Sequence, residues 1–313
     1  LDKRLLEEMI KVIDRHFHVQ ELNHLLKACM DDKIQSKSIW GEITLTVHEM
    51  LEGSSPYIDK LAAYIELLML ASDMMDDLAD QDNTSRPWMN ISTPIALNAA
   101  AALLIAVTGE CAELREQHPH LPLPANGDIH RMLTRAANGQ HQDIRGQAIH
   151  SEEDYLALVL QKSAPLMQLA FYMGYSSVES CEDTTKLQLD QMAEYVAIAA
   201  QLHNDLHDLI QFDVKGDLFD KKRTFPILYL LDQCSEQHPV FYEYYEGKLS
   251  LERLKEMKEA CLQAIVQSGC IEYTRVVQGL YVHEAEKIVE AIPGQPEGKR
   301  QFLQKVIAPY RKF

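Results

Sequence analysis

Between Tyr57 and Asp82 the chain runs from a nearly all-apolar stretch, Leu61 to Ala71, straight into Asp73-Met-Met-Asp-Asp-Leu-Ala-Asp-Gln-Asp82, with no capping residue or glycine between them. The length and composition describe a central buried helix that ends in carboxylates. On a helix, Asp73, Asp76, Asp77 and Asp80 fall within a sector of roughly 100°. Like charges on one face repel. Such a face must either open into water or meet positive charge. Because it continues a buried helix, the second is expected. Hard divalent ions such as Mg²⁺ take carboxylate oxygens.

The rest of the chain reads almost throughout at the 3.6-residue period. Leu5, Met9, Val12 and Ile13 form one apolar face, and Leu22, Leu25, Leu26 and Cys29 a second. Further helices are expected over Ile39 to Leu51, Pro94 to Glu116, and Asp128 to Ala148 with Asp128 as N-cap. Ser151 to Met173 follows, opening on the capping-box spacing Ser151-Glu-Glu-Asp154. Thr184 to Phe212 is another. Asp213 to Arg223 is charged and reads as a loop or flap. Thr224 to Leu231, Pro239 to Tyr245, Ser250 to Gln267, Glu272 to Ala291 and Arg300 to Phe313 complete the pattern. No segment alternates at period two. The expectation is one all-α domain over residues 1–313, about a dozen helices around a central cavity.

Charge narrows the function. The net charge is −17. That argues against nucleic acid as a partner and against a polybasic membrane anchor. An anionic substrate would need cations supplied locally. The six cysteines are scattered with no C-x-x-C pair, which suits reduced thiols and a cytoplasmic protein. Leu1 to Val19 is amphipathic and mixed in charge, unlike a signal peptide. Apolar runs such as Leu97 to Val107 are too short to span a bilayer, so no transmembrane segment is expected.

A second acidic cluster lies in His203-Asn-Asp-Leu-His-Asp208. Gln201, Asn204, Asp205 and Asp208 share a helical face. His203 and His207 fall on another and raise a rival zinc reading. The hydrolytic motif needs a glutamate where Asn204 stands, which disfavours it. Two carboxylate clusters on separate helices can hold Mg²⁺ ions that grip a diphosphate and neutralise the charge of a departing group. Lysines must finish the cradle, and Lys162 and Lys222 are the candidates.

These residues resemble the trans-isoprenyl diphosphate synthases, all-α enzymes with two aspartate-rich motifs. Glu66-Leu-Leu-Met-Leu-Ala-Ser-Asp-Met-Met-Asp-Asp-Leu-Ala-Asp80 is similar without a gap to the family's first motif. Gly139-Gln140, Lys162-Ser163, Gln201-Leu-His-Asn-Asp-Leu-His-Asp208 and Lys222-Arg-Thr-Phe-Pro226 follow in the family's order. The resemblance implies that Asp76 and Asp80 ligate Mg²⁺ with Asp77 in support. It implies a further ion at Asn204, Asp205 and Asp208, about two or three in all. Lys162, Gln201 and Lys222 would contact or support the diphosphate of an allylic substrate. The implied reaction condenses an allylic isoprenyl diphosphate with isopentenyl diphosphate, in a homodimer.

The departures gather on the acceptor side. Of the family's basic N-terminal segment only Lys37 remains, within Ser36-Lys-Ser-Ile-Trp40. Met69 replaces a histidine, and Ser85-Arg86 keeps only the second arginine of a pair. The first motif, Trp88, Leu97-Asn98-Ala99-Ala100 and Gly139-Gln-His-Gln-Asp143 also resemble ComQ-type prenyltransferases, which act on a tryptophan of a pheromone precursor peptide. An indole carries no diphosphate, so lost acceptor cations would cost it nothing. Linear elongation is the first expectation and peptide prenylation the alternative. Ala71 and Ser72 are small where the family caps its prenyl tunnel. Tyr64, two turns deeper than Ser72, is then a candidate floor, implying a product of about C20 or longer.

Overall fold

The computed structural model describes residues 3–36, 38–146, 148–211, 216–233 and 239–311. Among them are fifteen α-helices and no strand. The first five are α1 (Lys3–His16), α2 (Gln20–Gln35), α3 (Trp40–Met50), α4 (Ile58–Asp80) and α5 (Thr93–Gln117). Then come α6 (Asn126–Ile144), α7 (Glu152–Lys162), α8 (Ala164–Tyr175), α9 (Asp183–Ile210) and α10 (Phe225–Gln233). The last are α11 (Val240–Tyr245), α12 (Leu251–Glu256), α13 (Lys258–Ser268), α14 (Cys270–Ala291) and α15 (Pro296–Phe302). Lys37 lies outside the described residues.

Helix α4 is the axis of the bundle. Every residue from Leu61 to Ala71 is buried, with α1, α3, α5 and α8 packed around it. Glu66 is the one charge inside this run. It accepts from the Gly41 amide at 2.7 Å and from the Ser38 hydroxyl. Burial raises its pKa, and those two donors oppose the rise. Helix α9 is the second long element, packed on α8 and α14. Both acidic motifs therefore sit near the C-terminal ends of long, rigid helices.

Several boundaries differ from the periodic reading, including the last, where α15 ends at Phe302 and a π turn over Leu303–Ile307 follows. Ser151 to Met173 is two helices, broken at Ser163, because Pro165 lacks an amide proton and sits in the first turn of α8. That break leaves Lys162 at a helix end. Ser250 to Gln267 is likewise two helices, parted at Met257. Asp128 is not a cap: α6 begins two residues earlier, and Asp128 instead accepts from the Tyr172 hydroxyl and pairs with Arg131. The Ser151–Asp154 capping box forms in both directions.

Helix α5 is long and apolar enough by composition to cross a membrane. One face, through Ala96, Ala99, Ala100, Leu103, Val107 and Leu114, is buried in the bundle core, with α5 packed along α4. The other leaves Leu97, Ala101 and Ile105 exposed.

Candidate active site

The four aspartates that share one sector of α4 divide into two pairs with different partners. Asp76 accepts from the Gln140 amide on α6. Lys162 stands 3.3 Å from Asp76 and 2.6 Å from Asp143. Asp80 meets Lys222 at 3.2 Å, and Lys222 also faces Asp217 at 3.7 Å. Asp77 points elsewhere. Its two oxygens accept from Trp88 Nε1 at 2.8 Å and Asn83 Nδ2 at 2.6 Å. Asp73 pairs with Lys33 of α2, a lysine buried to 7% side-chain exposure. Asp77 is thus engaged by Trp88 and Asn83. It closes the helix end onto the turn Pro87–Asn90. Trp88→Phe removes one donor from a buried carboxylate, so a loss of about 1–3 kcal/mol is expected, read as a lower unfolding midpoint.

The second wall comes from α9. Asp205 is buried and takes hydrogen bonds from the Tyr155 hydroxyl and from Gln201 Nε2, the latter at 2.9 Å. Ser163 Oγ reaches Gln201 Oε1 at 3.4 Å, which ties the α7–α8 corner to this motif. Asp208 Oδ2 accepts the Asp217 amide at 2.7 Å, and Asn204 is exposed. The His203 ring packs against Tyr310, and His207 contacts Gln211. Among the described residues no three carboxylates, histidines or cysteines converge on one metal position.

Charge in this cleft is strongly unbalanced. Among the described residues, Asp76, Asp80, Asp143, Asp205, Asp208 and Asp217 gather about two ion-paired lysines, Lys162 and Lys222. Burial, then Asp208 and Asp205, pushes Asp217 up to about 7. Burial pushes Asp205 up to about 6 against the pull of Tyr155 and Gln201. Burial pulls the pKa of Lys162 down, but Asp76 and Asp143 outweigh it, so the lysine stays charged. Excess carboxylate of this kind fits Mg²⁺, which commonly uses one or two carboxylates and completes its shell with water and substrate phosphate oxygens. A ready-made cage of three ligands is not required.

Gln140 and Asp143 entered the sequence reading only as parts of matched motifs, without a role, and Tyr155 and Asp217 were not singled out. The i,i+3 spacing of Gln140 and Asp143 was the available signal. Tyr155 and Asp217 had none. On the other flank of α4, Arg86 is tied to Asp32 at 2.6 Å and to Ser36, with its cation over the Trp88 ring. Met69 and Ala71 are buried in the core, and the Ser72 hydroxyl turns back to the Leu68 carbonyl. The Tyr64 hydroxyl donates to Glu110 at 2.9 Å, and Glu110 is held in turn by Arg15 and His16. A separate cavity of about 820 Å³, lined by Arg135, Gln168, Tyr172, Tyr175 and Asp190 among others, shares no residue with either acidic motif.

The sequence model of the polyprenyl synthetase family matches residues 22–264. The tryptophan prenyltransferase ComQ of Bacillus subtilis is 25% identical over 312 residues, covering 97% of this chain and 98% of that protein. The geranylfarnesyl diphosphate synthase of Aeropyrum pernix is 24% identical over 301 residues, covering 90% and 89%. Among solved structures, a geranylgeranyl pyrophosphate synthase superposes with a TM-score of 0.81 at 19% identity, covering 96% of each chain.

Proposed function

The chain is a prenyltransferase belonging to the polyprenyl synthetase family, and from that premise we propose that it ionises an allylic isoprenyl diphosphate and transfers the prenyl group to a tryptophan indole of a peptide. The observation that carries the donor half is the facing of Asp76 and Asp80 with Lys162 and Lys222. The acceptor half is supported by similarity to a named tryptophan prenyltransferase over nearly the whole of both chains.

Asp76 and Asp80 on one wall, and Asn204, Asp205 and Asp208 on the other, are the residues that would hold Mg²⁺. When bound, the metal supplies positive charge to the leaving diphosphate. Lys162 and Lys222 bind the remaining phosphate oxygens. Gln140 holds Asp76, while Tyr155 and Gln201 orient Asp205, so the cradle is set before substrate arrives. The allylic C–O bond breaks and its electron pair leaves with the diphosphate. The acceptor π pair forms the new C–C bond, and the proton the acceptor loses passes to the diphosphate. The prenyl chain runs from this cleft past Ser72 and Ala71 towards Tyr64, about 18 Å along α4 from Asp76. The Tyr64–Glu110 bond makes a polar floor suited to a chain of about C20.

Linear elongation with isopentenyl diphosphate is the second reading, favoured by the intact Lys222-Arg-Thr-Phe-Pro226 segment beside the cleft. One assay separates the two. The protein is incubated with Mg²⁺, C10 to C20 allylic diphosphates, and either a tryptophan-containing peptide or isopentenyl diphosphate. A peptide gaining one prenyl mass is the expected result. Longer prenyl diphosphates beside an unmodified peptide would transfer the proposal to elongation.

A homodimer belongs to the same proposal, and the exposed apolar stripe of α5 supports it. Ile105 is 71% exposed and Leu97 47%. Ile105→Glu places a charge in that stripe, and its expected effect is to halve the mass measured by light scattering. A dimer that persists in the variant would remove α5 from the interface.

A further inference from the structure

The two flanks of α4 are charged differently. On the donor flank, among the described residues, six carboxylates gather about two ion-paired lysines. On the other flank, among the described residues, each cation has one acid of its own. Lys33 is buried against Asp73, and Arg86 is held by Asp32. Asp77, between them in sequence, is satisfied by Trp88 and Asn83. The donor flank therefore calls for added cations, whereas Lys33 and Arg86 on this flank each already hold a carboxylate.

We propose that Asp32 and Asp73 set the acceptor class by occupying Arg86 and Lys33, so that this side of the cleft takes an uncharged acceptor and refuses a second diphosphate. The inference rests on the prenyl-transfer reading above and names the residues that decide its acceptor. A diphosphate arriving at Arg86 would have to approach the Asp32 carboxylate already seated there, and like charges at that distance repel. At Lys33 the barrier is higher. The ammonium is almost fully buried, and Asp73 is the carboxylate ion-paired with it. Removing one partner of a buried pair leaves an uncompensated charge. An indole meets neither obstacle, because it carries no charge to match. The arrangement works by building an unfavourable contact against the wrong acceptor.

The test is a binding titration with isopentenyl diphosphate as the probe. The donor cleft is filled with Mg²⁺ and an allylic thiodiphosphate that does not ionise. Wild type, Asp32→Asn and Asp73→Asn are compared. The wild type is expected to show no binding below about millimolar probe. Asp32→Asn frees Arg86 and is expected to tighten binding at least tenfold, with the affinity for the thiodiphosphate unchanged. Asp73→Asn is expected to act in the same direction where it folds. If the buried Lys33 prevents folding, Asp32→Asn carries the test, since Arg86 and Asp32 are both about 30% exposed. Micromolar binding of the probe to wild type would overturn the proposal, as would an unchanged affinity in Asp32→Asn. Failure of the wild type to bind the thiodiphosphate would instead overturn the donor reading. The probe titration without it then still decides the acceptor question.

Discussion

Asp76→Asn is expected to slow prenyl transfer about a hundred- to a thousandfold, the usual cost of removing one preorganised charge-stabilising group. Asp76 is where three contributions meet. Gln140 fixes one oxygen, Lys162 stands 3.3 Å away, and Asp80 lies one turn further on. The amide keeps the size of the side chain and one acceptor oxygen, but it loses the charge that attracts the divalent ion and Lys162. The matched control is Asp77→Asn. Its oxygens serve Trp88 and Asn83, so the expected effect is a lower unfolding midpoint with the rate per folded molecule retained. Diphosphate release under saturating Mg²⁺, measured beside thermal unfolding, separates the two. Equal rate losses in both variants would mean that the α4 aspartates act as one cluster, contrary to the division seen in the structure.

Gly139→Ala is expected to damage the site without replacing a charged residue. A Cβ at Gly139 would lie 2.4 Å from the Lys162 amide nitrogen and 2.6 Å from its Cα. Those are backbone atoms and cannot rotate away. Helix α6 or the end of α7 must shift, and overpacking of this kind costs about 1–3 kcal/mol or more. Lys162 would move with its backbone, away from Asp76 and from Asp143 on α6. Misplacing a positioned group by about 1 Å can cost on the order of a hundredfold in rate. The measurements are the unfolding midpoint and the turnover number of the folded fraction, and both are expected to fall. An alanine variant with the wild-type midpoint and rate would show that the crossing is slack.

The fold was legible because its signal is local. Apolar residues recur at helical spacing in almost every segment, and Leu61 to Ala71 is buried as its composition requires. The boundaries that were missed share a cause. Pro165 permits the helical pattern to continue in phase while breaking its hydrogen bonds, and Met257 does the same without a marker residue. The site was half legible. Asp76, Asp80, Lys162, Gln201, Asp205 and Lys222 come together at one end of the bundle. Tyr155 reads as an ordinary core aromatic until its hydroxyl is seen on Asp205. Asp217 reads as one more charge in a charged loop until Lys222 and the Asp208 carboxylate are placed beside it.

What the sequence alone determined is that a buried helix ends in four aspartates on one face, and that a second helix carries a matching set. Periodicity settles such questions because it depends only on neighbours three and four positions apart. Which partner each of those aspartates meets was decided by the tertiary structure. Asp73 was assigned by Lys33, Asp76 by Gln140 and Lys162, Asp77 by Trp88, and Asp80 by Lys222, which lies 142 positions away in sequence. Four carboxylates within one sector are chemically equivalent until other helices bring a cation or a donor to each. Their separation into two pairs comes from packing and charge pairing, and neither is encoded in the spacing of the aspartates themselves.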